Sequence, residues 1–258
     1  MITNNQVKFV QSLRQKKYRG IHGLFIAEGS KLVLDLINSP YRLKEVFAYE
    51  QWVSDHRSIL GAAQIPFTAV NEKEMTRISE FSTPSPVLAI VNIPGNTELP
   101  ASVKDELVLM LDDIHDPGNL GTIVRIADWF GVRTIIGSEN MVDLYNPKVV
   151  QATMGSIARV NVFYTNLVRF MNRMEGSPDV FGTFISGENI YTCNLPPEGV
   201  IVIGSEANGI SEELSGFVKT RLRIPPFADN IEESAPESLN AAVATAIICS
   251  EFRRNGTR

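Results

Sequence analysis

Three short runs in the C-terminal half of the chain combine residue types that can bind, polarise or orient a reacting group. The first is Asp116-Pro117-Gly118-Asn119-Leu120-Gly121-Thr122-Ile123-Val124-Arg125. The second is Val202-Ile203-Gly204-Ser205-Glu206-Ala207-Asn208-Gly209, and the third is Glu237-Ser238-Leu239-Asn240-Ala241-Ala242-Val243-Ala244. Among their residues are the amides Asn119 and Asn240, the hydroxyl of Ser238, the carboxylate of Glu206 and the permanent cation Arg125. A guanidinium with a pKa above about 12 is a poor general base, so the chemistry of Arg125 is that of fixed positive charge. Each residue also has a plainer reading. Asn119 and Ser238 suit helix N-caps, Arg125 suits a solvated surface, and Gly204 to Gly209 suits a glycine-bearing turn with a helix-start glutamate.

Other chemistries are poorly served. The glycine loop lacks the GKS or GKT ending of a phosphate loop and is not GxGxxG, which argues against a nicotinamide-dependent oxidoreductase. His22, His56 and His115 are scattered, and Cys193 and Cys249 have no CxxC partner, so no metal site or disulfide framework is expected.

The elements that must position these runs read as two α/β alternations. The first has a helix over residues 4–18 and a strand over 24–27. Helix 31–37, strand 45–49, helix 51–63 and strand 66–70 follow, then a helix led by Asn71 and a strand over 87–91. Residues 95–104 are polar and breaker-rich, a linker between an N-terminal domain over 1–94 and a C-terminal domain over 105–258. In the latter, continuous apolar or β-branched runs at 107–111, 134–137, 159–163, 180–185, 200–204 and 221–224 suit strands of a largely parallel sheet buried on both faces. Helices fit at 120–130, 147–157 and 167–174. From Ala241 to Cys249 only Thr245 is polar, so the last helix is expected to be buried on most sides.

Taken in order, the three runs resemble the SpoU (TrmH-like) family of RNA ribose 2′-O-methyltransferases, of the knotted SPOUT class. A fourth run, Asn146-Pro147-Lys148-Val149-Val150-Gln151-Ala152-Thr153-Met154-Gly155, resembles it too, and the likeness covers roughly residues 107–254. It implies an α/β fold whose C-terminal domain holds a deep trefoil knot, the donor S-adenosylmethionine, and a homodimer with the active site at the subunit interface. Methylating a 2′-hydroxyl demands in-line positioning and help for the departing proton more than stabilisation of new charge. The resemblance implies that Asn119, Arg125, Glu206, Ser238 and Asn240 form the catalytic site. Arg125 would bind a neighbouring phosphate and polarise the hydroxyl, and Glu206 would orient Arg125 or the substrate. Ile203, Gly204, Gly209, Ile224, Pro225 and Leu239 would hold the cofactor, mainly through backbone groups.

The sequence departs from the family pattern twice. The usual Ser-Leu-Asn-Val-Ser is Ser238-Leu239-Asn240-Ala241-Ala242 here, a change of packing rather than of chemistry. The stretch between Pro225 and Ser238 is also longer, with acidic Asp229, Glu232 and Glu233; it is expected to be a surface loop turned away from RNA, or a lid. The N-terminal domain resembles the family's L30e-like substrate-binding module. There Arg14, Lys16, Lys17 and Arg19 would bind phosphates while Tyr18 stacks on a base.

Composition is compatible with this reading but does not create it. The net charge is −5, yet Lys8, Arg14, Lys16, Lys17 and Arg19 all precede the first acid, Glu28. A local basic run can contact phosphate on an acidic protein. No apolar stretch suits a membrane span, and the polar N-terminus lacks a secretory h-region, so a cytoplasmic protein is expected. The expected substrate is structured RNA, ribosomal first and transfer RNA otherwise. The competing expectation is a catalytically silent RNA-binding or ribosome-assembly factor, which would bind the cofactor without transferring its methyl group.

Overall fold

A computed structural model describes residues 1–95, 98–176, 178–226 and 238–254. The acidic segment at 229–237 lies outside the described residues. The chain divides into two compact units. The first comprises Met1–Thr97 with Asp143–Arg159, and the second Glu98–Val142 with Val160–Arg258.

The first unit is built on a four-stranded sheet in the order β1 (Leu24–Glu28), β4 (Val87–Asn92), β2 (Leu43–Ala48), β3 (Phe67–Ala69). Only β2 and β3 run parallel; β4 is antiparallel to both its neighbours. Every residue of β1 is buried, and only the last of β4 is exposed. The helices are α1 (Asn4–Ser12), α2 (Lys16–His22), α3 (Ser30–Ile37), α4 (Glu50–Ala62), α5 (Glu72–Ile78) and α7 (Pro147–Ala152). Two of them start with a capping box. Thr3 and Gln6 close α1, and Asn71 and Glu74 close α5, each satisfying two N–H groups the helix leaves orphaned. Val10, Leu13, Phe47, Met75 and Leu88 form the centre of this core. Gly155 is required by its surroundings: φ is +95°, and a Cβ there would meet the Asp35 carboxylate.

The single helix expected over 4–18 is two helices. Leu13 ends α1 and Gln15 is extended, at φ −93° and ψ 133°. No glycine or proline causes the break. Leu13 is fully buried, and the Arg14 side chain donates to the carbonyls of Ile78 and Ser79 at 3.1 and 2.7 Å. Tertiary contacts override the local helical preference there.

The second unit carries a six-stranded sheet with every neighbouring pair parallel, as the continuous apolar runs predict. Its order is β10 (Thr220–Arg223), β8 (Val180–Asn189), β9 (Gly199–Gly204), β5 (Leu107–Asp112), β6 (Thr134–Ser138), β7 (Asn161–Thr165). The helices are α6 (Pro117–Trp129), α8 (Leu167–Arg173), the short α9 (Glu212–Ser215), unforeseen in the sequence, and α10 (Ala241–Arg254). The chain fans from β5 toward β7, then returns to build β8, β9 and β10 on the other side. The order therefore reverses at the neighbouring strands β5 and β9. Ligands of open α/β sheets bind at such a switch point, beyond the carboxyl ends of the strands.

Candidate active site

The carboxyl ends of β5 and β9 are where the first two motifs emerge. After β5, Asp116 accepts the backbone N–H of Asn119 at 2.8 Å and Pro117 takes the first helical position of α6. A proline there loses no needed donor and presets the helical φ. Asn119 is therefore not the N-cap. It sits in the first turn with its side chain free for another purpose.

That purpose is a polar cluster. Glu206 Oε1 accepts from Asn119 Nδ2 at 3.0 Å, from Asn240 Nδ2 at 2.7 Å and from the backbone N–H of Ala241 at 3.1 Å. Asn240 Nδ2 also donates to Asn119 Oδ1 at 2.9 Å. Three residues far apart in sequence thus meet through their side chains. The other end of the Asn240 amide is occupied as well, since its Oδ1 accepts from the N–H groups of Ala242 and Val243 at 3.0 and 3.3 Å. Asn240, two positions beyond Ser238, is thus the residue that caps α10. Capping fixes the amide orientation and aims both Nδ2 hydrogens at the cluster.

The loop carrying Glu206 is held by its own backbone. Ser205 and Gly209 exchange N–H···O bonds of 3.1 and 2.9 Å, and Asn208 N donates to Ser205 Oγ at 3.2 Å. A Cβ on Gly204 would lie 2.1 Å from the Gly209 carbonyl carbon, so loop closure alone demands glycine at 204. Gly209 has φ +66° with open space around it. The loop's far side is tied back when Ser211 N donates to Asp112 Oδ2, on a carboxylate only 8% exposed at the end of β5. Asp112 and Asp116 thus position the site, and neither stands out among the chemistry-bearing residues of the sequence. The Asp-Pro pair was the available signal for Asp116. The loop between β5 and α6 places His115 Nε2 3.1 Å from Asp113 Oδ1, with Asp113 in the left-handed region at φ +62°.

Arg125 stands apart from this cluster. It is exposed on α6, and among the described residues no hydrogen bond or ion pair engages it. Glu206 spends its contacts on Asn119, Asn240 and Ala241, so it does not orient Arg125 within this chain. Thr122 and Trp129 are exposed on the same helical face, Trp129 at 85%. Ser238 is exposed next to the cluster.

Of the residues expected at the cofactor, Ile203 and Gly204 end β9, Gly209 lies on the loop after it, Ile224 and Pro225 follow β10, and Leu239 precedes α10. Ile203 is buried; Gly204, Ile224 and Pro225 are half-buried; Gly209 and Leu239 are exposed. Leu239 is an unpacked apolar side chain beside Asn240, 46% exposed. Apolar surface with neighbouring backbone groups at a switch point fits an adenine ring and a sulfonium. Among the described residues no group of three or more His, Cys, Asp and Glu could hold a metal ion, and no helix is long and apolar enough to cross a membrane.

The basic run of the first unit separates into two kinds of residue. Arg19 is 3% exposed. Its Nε and Nη2 donate to Asp143 Oδ2 at 3.0 and 2.6 Å, and Nη1 donates to the carbonyls of Leu13 and Arg14. It has no capacity for phosphate. Arg14 is half-buried against the carbonyls described above, with Nε 3.2 Å from Glu80 as a charge contact outside hydrogen-bonding geometry. Lys16 and Lys17 are exposed, and Tyr18 stacks on His22 at 6.5 Å between centroids. Of the residues expected to contact RNA, Lys16, Lys17 and Tyr18 are the ones the fold does not consume.

Comparison with known proteins adds a family to this geometry. Residues 106–250 match the SpoU rRNA Methylase family, and residues 4–89 match the MRM3-like substrate binding domain. The chain is 28% identical to the 23S rRNA (guanosine(2553)-2′-O)-methyltransferase RlmP of Bacillus subtilis, over 97% of this chain and 96% of that one. A putative RNA methyltransferase of the TrmH family from Porphyromonas gingivalis superposes with a TM-score of 0.85 at 36% identity, covering 99% of this chain and 100% of that one. An AdoMet-bound rRNA methyltransferase from Sinorhizobium meliloti gives a TM-score of 0.85 at 30% identity, covering 100% and 97%. With more than half of its length matched by the family and its switch-point cluster built from the family's motifs, the chain belongs to the SpoU family of RNA 2′-O-ribose methyltransferases.

Proposed function

We propose that this protein transfers the methyl group of S-adenosylmethionine to a ribose 2′-hydroxyl of structured RNA, 23S-type ribosomal RNA first and transfer RNA otherwise. The observation that carries the site assignment is the Asn119–Glu206–Asn240 cluster at the junction of β5 and β9. A silent RNA-binding factor has no need of a carboxylate and two amides locked at a switch point.

When bound, S-adenosylmethionine supplies an electrophilic methyl group on a positively charged sulfur. The chain supplies the rest. Backbone groups around Ile203, Gly204, Gly209, Ile224 and Pro225, with the Leu239 side chain, hold the cofactor. Glu206 fixes Asn119 and Asn240, and its negative charge favours a cation at this edge. Ser238, exposed beside Asn240, orders the approach of substrate. Arg125 binds a phosphate next to the target ribose and polarises the hydroxyl, which lowers the cost of losing its proton.

The exposed face of α6 favours a homodimer. Arg125 and Trp129 project from it, while Val243 of α10 is 48% exposed in a helix whose other side is packed. A second copy on this face would bury the apolar surface and bring Arg125 of one protomer to the cluster of the other. The proposal extends to a trefoil knot that tucks in α10, to an L30e-like identity for the first domain over 1–94, with 95–104 as linker, and to a cytoplasmic location.

The test is transfer of labelled methyl from S-adenosylmethionine to ribosomal and transfer RNA lacking the modification, read by mass spectrometry of digested nucleosides. A 2′-O-methylated nucleoside that depends on the protein is expected. Base methylation would overturn the ribose assignment, and cofactor binding without transfer would support the silent factor.

A further inference from the structure

The first unit contains a cleft of about 360 Å³ whose lining has no part in the chemistry above. Ile26 of β1, Ile78 of α5 and Val150 of α7 make its apolar wall, and the half-buried ring of Phe81 lies with them. Its polar lining is Glu28, Glu80, Lys148 and Gln151. An apolar slot of this size with a few polar groups is the form of a small-ligand site.

Glu28 is the informative member. It is only 6% exposed, and a buried carboxylate needs donors around it. Oε1 has two: Ser79 Oγ at 2.6 Å and Ser85 N at 3.2 Å. Oε2 has one long contact, to Glu80 N at 3.4 Å. One oxygen is satisfied and the other retains acceptor capacity. Glu80 lines the same cleft, with its charge offset by Arg14 at 3.2 Å. Lys148 is exposed and supplies the lining's cation.

We propose that this cleft takes one unstacked guanine of the RNA substrate, an inference that rests on the RNA-methyltransferase reading. Single-stranded RNA is read by splaying bases out, stacking them on aromatic rings and bonding their edges. Phe81 and the apolar wall offer the stacking surface. Guanine alone presents two adjacent N–H donors on its Watson–Crick edge, and carboxylates only accept. Adenine and cytosine would turn a ring acceptor toward Glu28 and Glu80, and uracil would bring one donor between two acceptors. Lys148 then meets the phosphate of the same nucleotide. None of the residues of the Asn119–Glu206–Asn240 site lines the cleft.

The experiment is fluorescence anisotropy of the full-length protein with a labelled oligouridylate and with the same strand carrying one central guanosine, adenosine or cytidine. The guanosine strand should bind about tenfold tighter than the others. Phe81→Ala and Glu28→Gln should each reduce it to the level of oligouridylate, with S-adenosylmethionine affinity unchanged. Lys148→Glu should weaken all four strands together. Glu28 also pins the turn between Ser79 and Ser85, so a Glu28→Gln variant that unfolds leaves Phe81→Ala and Gln151→Ala to decide. Equal binding of the four strands, or a guanosine preference that survives Phe81→Ala, overturns the cleft and leaves the methyltransferase reading intact. No binding to any RNA, with cofactor binding retained, overturns both.

Discussion

Asn240→Asp separates the two roles of one side chain. As a cap, Asn240 uses Oδ1 to accept from Ala242 and Val243, and an aspartate does this equally well. Its charge at the start of α10 adds about 0.3–1 kcal/mol in favour of the helix. The loss falls on the other end of the amide. Two donors disappear, those at 2.7 Å to Glu206 and 2.9 Å to Asn119. One of these bonds goes to a charged acceptor, so together they are worth about 2–4 kcal/mol. A second carboxylate oxygen would also stand 2.7 Å from Glu206, a repulsion of about 1.5 kcal/mol even at the dielectric of water. The side chains will swing apart rather than bear this. The fraction of molecules holding the observed arrangement should drop by about a hundredfold or more, equivalent to about 3 kcal/mol. Single-turnover methyl transfer at neutral pH should fall accordingly, and Tm should drop by several degrees, at about 2–4 °C for each kcal/mol lost, while the surviving cap keeps α10 formed. A rate near that of the parent protein would refute the cluster as the positioning device of the site.

Arg125→Ala should abolish transfer and leave S-adenosylmethionine affinity largely unchanged; mixing it with Asn240→Asp should restore activity through mixed dimers, and no restoration would exclude a site shared between subunits. Arg19→Ala should lower stability by about 3–5 kcal/mol, because it leaves Asp143 without its buried partner, whereas Lys16→Glu with Lys17→Glu should leave Tm alone and weaken RNA binding with a shallower salt dependence. The N–H groups of Asn71 and then Ile2 hold the Glu74 carboxyl below its ordinary 4.5, so this contribution is whole above about that pH and disappears as pH falls through the lower folded value. Acid unfolding of Glu74→Gln should accordingly show a weaker pH dependence in that range. Burial pushes the Cys249 thiol up to about 12, and burial followed by Glu188 raises Cys193, so a thiol reagent at pH 8 should label Cys193 slowly and Cys249 only after unfolding.

Much of the second unit is legible in the sequence because its signals are local. A parallel strand covered on both faces is apolar along its buried length, as β5 is from Leu107 to Leu111 and β9 is throughout. The Asp-Pro-Gly-Asn run likewise announces a strand leaving into a helix, although the cap is Asp116. The glycine at 204 reads as room for a ligand, whereas the loop's own closure accounts for it. That distinction depends on where Gly209 folds back, which no spacing rule supplies. The basic run shows the opposite failure. Five cations before the first acid look like a phosphate surface, yet Arg19 meets Asp143 across 124 positions and is consumed by the fold. Charge in a sequence has no address until its partner is known.

The same distinction explains why Arg125 and Glu206 pair naturally in the sequence but stay apart within the chain. Complementary charge makes the pairing plausible, and helical geometry decides against it. Glu206 already accepts three N–H donors, so a guanidinium would have to displace or share them. Arg125 meanwhile faces outward with Trp129, 85% exposed. An arginine and a tryptophan exposed together on one helix are residues that interfaces favour. A cluster complete in itself and a cation left outside it are compatible with the proposed site shared between two subunits. The chemistry needs both halves: fixed dipoles to place cofactor and substrate, and a mobile positive charge to meet the phosphate and the hydroxyl. Trp129→Glu, placed to prevent the proposed dimer, should therefore remove activity while the Asn119–Glu206–Asn240 cluster and the fold persist. A fully active monomer would show that Arg125 reaches the site within its own chain.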